Sequence, residues 1–268
     1  MNLNNKKVIL TGAYGAIASE VARLLLDLGA HVALVGRHEQ SLGDLEQSLV
    51  ASVKGSQDKV ISIVADITQE HDRQKIVDQA LSNFGQVDIL INLAGSMSFT
   101  QFSEEDSKLT EALFQVNVLA PMHLTKMIVP HMRDKNSGHI VNVGSIFGSI
   151  AFAWFTTYSA TKFALRGFSE ALRRELDGTG VEVSYIAPRA VKTPFNSTAI
   201  TNMLNHFNTK IDDPANVAST IVGAIQGNVK EKYLGFPEKI FVRINSLFPR
   251  LIDKALKKQN QDAKKFIN

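Results

Sequence analysis

The chain contains no cysteine, which excludes disulfides, thiolate metal sites and cysteine nucleophiles, so any redox chemistry must use a borrowed cofactor. No uninterrupted apolar run approaches the ~20 residues of a membrane-spanning helix. Met1 to Lys7 is polar and leads straight into a strand-like segment, unlike a secretory leader, and a soluble cytoplasmic protein is the expectation. The histidines have no metal-ligand spacing, so no metal site is expected. Repeats, low-complexity stretches and linkers are lacking before about residue 228. The net charge of +3 is a property of the tail, because residues 230–268 hold ten Lys and Arg against four acids. A nucleic-acid-binding core is therefore not indicated.

What is present, in 268 residues that are 44% hydrophobic and 21% charged, is enough apolar material for one large α/β domain. Short β-branched runs (Val8–Leu10, His31–Val35, Val60–Val64, Val87–Ile91, Ile140–Val143, Val181–Ile186) alternate with helix-length segments (Ile17–Leu28, Arg73–Phe84, Glu111–Met132, Thr157–Leu176). That alternation predicts right-handed crossovers and a doubly wound parallel sheet buried on both faces. The predicted layout is a single domain over residues 1–228 with a C-terminal amphipathic basic extension, 229–268, packed on it. In such a sheet ligands bind beyond the carboxyl ends of the strands, so the residues just after each apolar run are the candidates.

After the first run comes Thr11-Gly12-Ala13-Tyr14-Gly15-Ala16-Ile17-Ala18, opening a helix. Small residues there let the backbone approach a pyrophosphate at a helix N-terminus, although tight strand-to-helix turns also use glycine for purely structural reasons. After the fifth run comes Ser145, and thirteen residues further on Tyr158-Ser159-Ala160-Thr161-Lys162. Residues i and i+4 share a helical face, so the Lys162 ammonium is expected near the Tyr158 hydroxyl. One charge ~4 Å away at an effective dielectric of ~20 would lower the tyrosine pKa by about three units.

Taken together the turn, the serine and Tyr-x-x-x-Lys resemble the short-chain dehydrogenase/reductase family, in its single-domain branch, over about residues 5–228. The resemblance implies a Rossmann-like fold and a catalytic group of Asn117, Ser145, Tyr158 and Lys162. It also implies a dinucleotide held by Gly12, Tyr14, Gly15, Ala16 and Ile17 at the turn, by Asp66 and Ile67 after the third strand, and by Asn92, Ala94 and Gly95 after the fourth. Pro188, Val191 and Thr193 after the sixth strand, with Tyr158 and Lys162, would face the nicotinamide half. Asp66 could equally cap a turn, and Asn117 could equally satisfy a helix kink. Ala16 and Ala18 stand where the family pattern has glycines, and the alternative spacing is epimerase-like. Leu93 replaces an asparagine, and Arg189 replaces a glycine, where it would narrow the site or place a cation near the phosphates.

Relatives that prefer NAD carry an acid after the second strand; here Arg37 and His38 follow Gly36. Arginine there can pair with a 2′-phosphate, which favours NADP(H) over NAD(H), the alternative being a solvated surface arginine. The implied reaction is hydride transfer between a nicotinamide and a carbonyl or alcohol carbon, with Tyr158 as general acid or base, Ser145 holding the oxygen and Asn117 positioning a water. The alternative is a dinucleotide-binding sensor without turnover. Met97, Phe99, Phe147, Ile150, Phe152, Trp154, Phe155, Phe195, Met203 and Phe207 suggest a lipophilic small-molecule substrate. A homodimer or homotetramer is expected. The tail stripe Phe241, Ile244, Leu247, Phe248, Leu251, Ile252 and Ala255 could cover the cleft, meet a second subunit, or make a weak peripheral membrane contact through its basic flanks. Pro249 should interrupt that stripe's helix.

Overall fold

The computed structural model describes residues 1–267. Seven parallel strands form one sheet: β1 (Lys7–Thr11), β2 (His31–Gly36), β3 (Val60–Val64), β4 (Ile89–Asn92), β5 (Gly138–Val143), β6 (Val181–Ala187) and β7 (Glu231–Tyr233). Their spatial order is β3-β2-β1-β4-β5-β6-β7, so the order reverses between β1 and β4, the place where such sheets open a ligand crevice. The helices are α1 (Ala16–Asp27), α2 (Glu39–Ser52), α3 (Glu70–Phe84), α4 (Ser107–Phe114), α5 (Ala120–Asp134), α6 (Thr156–Glu175), α7 (Thr198–His206), α8 (Pro214–Gln226), α9 (Glu238–Leu247) and α10 (Pro249–Ala263).

Alternation along the strands sorts the core into two layers. Val8, Leu10, Val32, Leu34, Ile89 and Ile91 face Val21, Ala22 and Leu25 of α1 and Val217, Ile221 and Ile225 of α8. Ile9, Ala33, Val35 and Leu90 face Ile76, Val77 and Ala80 of α3 and Leu124, Ile128 and Met132 of α5 on the other side. Continuous apolar strands covered on both faces are what a parallel sheet requires.

Two features depart from the sequence reading. The segment expected as one helix from Glu111 is α4, a π-helical turn at Gln115–Leu119, and α5, an unbroken helical run. That run, Ser107–Asp134, is long and apolar enough by length and composition to cross a membrane, which an inspection of uninterrupted apolar stretches missed; here Leu124, Ile128 and Met132 are spent on the sheet. The extension, moreover, begins by adding β7 to the sheet, with Tyr185↔Glu231, Ile186↔Lys232 and Ala187↔Tyr233 in register. The tail stripe is divided as expected, with α9 ending at Leu247 and α10 starting at Pro249.

His139 on β5 is buried, and its Nε2 lies 2.8 Å from the Ser184 hydroxyl of β6. That hydroxyl donates to the Val229 carbonyl at 2.6 Å, so Nε2 carries the proton and donates to it. Burial lowers the imidazole pKa from 6.5 to about 4. The folded state thus refuses a proton that the unfolded chain accepts, and stability that is complete above pH 6.5 is lost as pH falls toward about 4. The loss amounts to about 3 kcal/mol. Urea unfolding of wild type at neutral pH and near pH 4 should show it, and His139→Gln should show a markedly smaller acid loss.

Candidate active site

At the carboxyl end of β1, Gly12 adopts φ +70°, and a Cβ on it would sit 2.8 Å from the Ala94 Cα. A side chain is excluded there because the turn and the segment after β4 pass in close backbone contact. The Thr11 hydroxyl fixes that approach by accepting from the Leu93 and Ala94 amides at 3.1 and 3.2 Å. Leu93 itself packs against the core, and its backbone bond to Thr11 is kept despite the departure from the family pattern. Helix α1 starts at Gly15 with no side-chain cap and no acid in its first turn. Its amide donors and positive dipole end are left for an anion, so the turn fits a dinucleotide pyrophosphate. Tyr14 lays its ring against Gly36, where a Cβ would meet it at 2.5 Å, with its centroid 5.6 Å from that of His38.

Arg37 is largely exposed beyond β2, and its guanidinium stands 4.0 Å from the Asp66 carboxylate. Asp66 also accepts from the Thr68 amide and hydroxyl at 2.9 and 2.8 Å, so it does cap the turn entering α3. Ile67 is buried, and its carbonyl accepts from Arg73 at 2.7 Å. The two sides of the expected adenosine end, Arg37 and Asp66, are thereby brought together.

The Asn92 side chain is committed within the protein, donating to Asn142 Oδ1 at 2.8 Å and to the Thr125 hydroxyl at 3.2 Å. Asn142 in turn donates to Ser169 on α6 at 2.8 Å. Gly95, by contrast, lies at the site: a Cβ there would be 3.1 Å from Asn117 Oδ1 and 3.7 Å from Lys162 Nζ.

Asn117 sits in the π-helical turn, buried. Its Oδ1 accepts from the Ser96 amide at 2.8 Å, and its Nδ2 donates to the Ser96 carbonyl at 2.8 Å and the Thr161 hydroxyl at 3.0 Å. The helix irregularity thus presents an amide that staples the loop after β4 to the helix bearing Tyr158 and Lys162.

Tyr158 and Lys162 are both buried on α6. Lys162 Nζ reaches the Val143 carbonyl at 3.3 Å and lies 5.7 Å from the Tyr158 ring centre. Burial raises the Tyr158 pKa to about 12, with the neighbouring Ser145 hydroxyl working in the opposite direction. Burial likewise lowers Lys162 to about 8. In the protein alone, burial opposes both charges and holds the Tyr158 hydroxyl above its ordinary value, where the spacing of Lys162 predicts a depression. At neutral pH the tyrosine holds its proton.

Ser145 precedes a short turn, Ile146–Gly148, its hydroxyl accepting from the Phe147 amide at 3.1 Å. Behind it lies Tyr185 of β6, which the sequence reading passed over. The Tyr185 hydroxyl donates to the Ser145 carbonyl at 3.2 Å and accepts from its amide at 3.4 Å. A Cβ on Gly144 would lie 2.3 Å from Tyr185 ring atoms, so this glycine exists to admit the ring. The signal was a lone aromatic among the Val, Ser, Ile and Ala of the strand's buried part. Pro188 accepts from the Ile146 amide at 2.9 Å, Val191 bridges Asp212, and Thr193 follows, partly exposed.

Arg189 does not offer a free cation. It is clamped by Asp212, at 2.7 and 3.0 Å, and by Glu238, at 2.9 and 3.1 Å, which raises its pKa and ties the loop after β6 to α9. Phe99, Phe147, Phe152, Phe155, Met203 and Phe207 form one apolar cluster with Tyr158, which the tail joins through Ala263 and Phe266. The Trp154 indole donates to the Asn260 carbonyl at 2.8 Å.

A family model for short chain dehydrogenases matches residues 6–203, and the chain belongs to that family. It is an oxidoreductase of a class that binds NAD(P) and acts on small molecules. YxnA of Bacillus subtilis, an uncharacterized oxidoreductase, is 30% identical over 262 residues, 96% of this chain and 72% of that protein. A Caenorhabditis elegans short-chain dehydrogenase/reductase of unknown function, solved with cofactor, is similar at TM-score 0.79 and 26% identity over 87% of this chain and 94% of that one. One from Burkholderia phymatum in complex with NAD shares the fold at TM-score 0.85 and 23% identity, over 94% and 96% of the two chains.

The buried ammonium of Lys162 should be a liability for the isolated protein. Its cost, about 3 kcal/mol, is felt in full below pH 8 and is relieved as pH rises toward 10.5, because only the unfolded chain then still binds the proton. Lys162→Met should therefore melt higher than wild type at neutral pH, with the gap closing above pH 10.5 in thermal unfolding scans.

Proposed function

We propose that this protein interconverts a carbonyl and a secondary or primary alcohol on a lipophilic small molecule, using NADP(H) in preference to NAD(H). The observation that carries the reading is the protonated, buried Tyr158 beside Ser145, backed by Lys162 and enclosed by aromatic side chains. The bound nicotinamide would supply or accept the hydride at the reacting carbon. Ser145 would hold the substrate oxygen with its hydroxyl, while Tyr158 gives its proton to that oxygen in reduction and takes one back in oxidation. Lys162 would orient the cofactor ribose and, once that charge is engaged, favour the tyrosinate. Asn117 would keep Ser96 and Thr161 in register beside them.

Support for NADP(H) is the exposed Arg37 beside Asp66, where the family's NAD-preferring members place an acid after the second strand. Support for a lipophilic substrate is the wall formed by Phe147, Phe152, Phe155 and the returning Phe266.

Purified protein should consume NADPH with an apolar ketone, aldehyde, quinone or 3-oxoacyl thioester from a broad panel. Tyr158→Phe should bind NADPH as wild type does and turn over at least about a thousandfold slower. Tight NADPH binding with no turnover anywhere on the panel would replace this reading with a cofactor sensor. Arg37→Ala should weaken NADPH roughly tenfold or more while leaving NADH nearly unchanged, measured by fluorescence titration.

A further inference from the structure

Helix α9, the residue Phe236 before it and the turn into α10 carry exposed apolar side chains that the reaction does not use. Phe236 is 66% exposed, Leu247 73%, Phe248 63% and Leu251 57%, with Ile240 and Phe241 also open to solvent. The arrangement follows from helical spacing. Glu238, Val242 and Asn245 occupy the inward face of α9: Glu238 pairs with Arg189, Val242 is buried, and Asn245 donates to the Ser149 carbonyl at 2.9 Å. Ile240, Arg243 and Leu247 are thereby left on the opposite face. An exposed cluster of large apolar side chains marks an interaction surface.

The charge around the cluster decides what it meets. Lys239, Arg243, Arg250 and Lys254 are exposed about it. Three of the tail's four acids are paired, Glu231 with Arg166 at 3.3 Å and Arg243 at 3.9 Å, Glu238 with Arg189 at 2.9 Å, and Asp262 with Lys265 at 2.9 Å, while Asp253 is exposed on α10. Around the cluster Lys239, Arg250 and Lys254 outnumber the one exposed acid, Asp253. Beside the cluster, between α8, β7 and α9, lies an open groove of about 760 Å³ whose lining includes Lys232, Leu234, Phe236, Lys239 and Arg243.

We propose that this α9–α10 elbow docks the protein onto an anionic phospholipid membrane. Phe236, Ile240, Leu247, Phe248 and Leu251 enter the boundary between headgroups and acyl chains, and the surrounding Lys and Arg meet the phosphates. A second copy of the chain is the poorer occupant, because a two-fold contact would set the same basic rim against itself. The proposal goes beyond the reaction and does not depend on it.

Co-sedimentation with vesicles tests it. Wild type should pellet on the order of tenfold more with phosphatidylcholine vesicles containing phosphatidylglycerol than with phosphatidylcholine alone, and raised salt should release it. Combining Leu247→Ser, Phe248→Ser and Leu251→Ser should abolish pelleting while the thermal melt and NADPH affinity stay as in wild type. Arg243→Glu with Arg250→Glu, a variant that leaves the apolar residues in place, should do the same. Wild type that stays in solution with both vesicle types, or variants that pellet like wild type, would overturn the proposal. So would a dimer in sedimentation velocity that the serine variant dissolves while no vesicle takes up the protein, which would assign the surface to a second copy.

Discussion

Thr125, Asn92, Asn142 and Ser169 hydrogen-bond in a row through the buried middle of the sheet, linking α5, β4, β5 and α6. Asn92 and Asn142 are register partners, so the row fixes β4 against β5 at the point where both chains leave the sheet for the site. Each amide is satisfied only if the others are in place, and a buried polar group without a partner costs about 1–3 kcal/mol. Slippage by one residue would break the row as well as exchange the two core faces. The loops ending β4 and β5, and helix α6 with Tyr158 and Lys162, inherit their relative positions from it. From the other side Tyr185 clamps Ser145, and Asn117 clamps Ser96 to Thr161. The chemistry-bearing side chains thus hang from a frame of buried hydrogen bonds.

Burial is also what sets the protonation states. A tyrosine and a lysine on one helical face would, in water, favour their charged forms together. Inside an apolar wall both charges are opposed, and the lysine finds a single backbone carbonyl, that of Val143, in place of water. The protein therefore holds a destabilising ammonium beside a protonated phenol. Stability is sacrificed where function needs a poised group.

Six of the strands were legible because each is a β-branched run long enough to show its period, and the glycine turn and Tyr-x-x-x-Lys were legible because their geometry is local. What was not legible is long-range. β7 is three residues, two of them charged, and is a strand only because β6 offers it an edge. Asn92 stands where a cofactor contact is expected, yet its partners Thr125 and Asn142 are distant in sequence and claim its amide. Arg189 reads as a cation near phosphates until Asp212 and Glu238 arrive from α8's approach and from α9. The π-helical turn at Asn117 leaves the apolar spacing of its helix nearly intact and is therefore hidden from periodicity.

The tail shows how polar tethers redistribute apolar surface. An amphipathic helix ordinarily buries its apolar stripe, and α10 does so with Ile252 and Ala263. α9 is held instead by Glu238 on Arg189 and Asn245 on Ser149, whose directional bonds set its rotation. With the inward face taken by those anchors and Val242, the remaining apolar residues have nowhere to go but outward. Rotating α9 to bury them would break the Glu238–Arg189 ion pair and the Asn245–Ser149 hydrogen bond together. The arginine that replaces the family's glycine after β6 is thus what turns the apolar face of α9 toward solvent, and with it the surface available to a membrane.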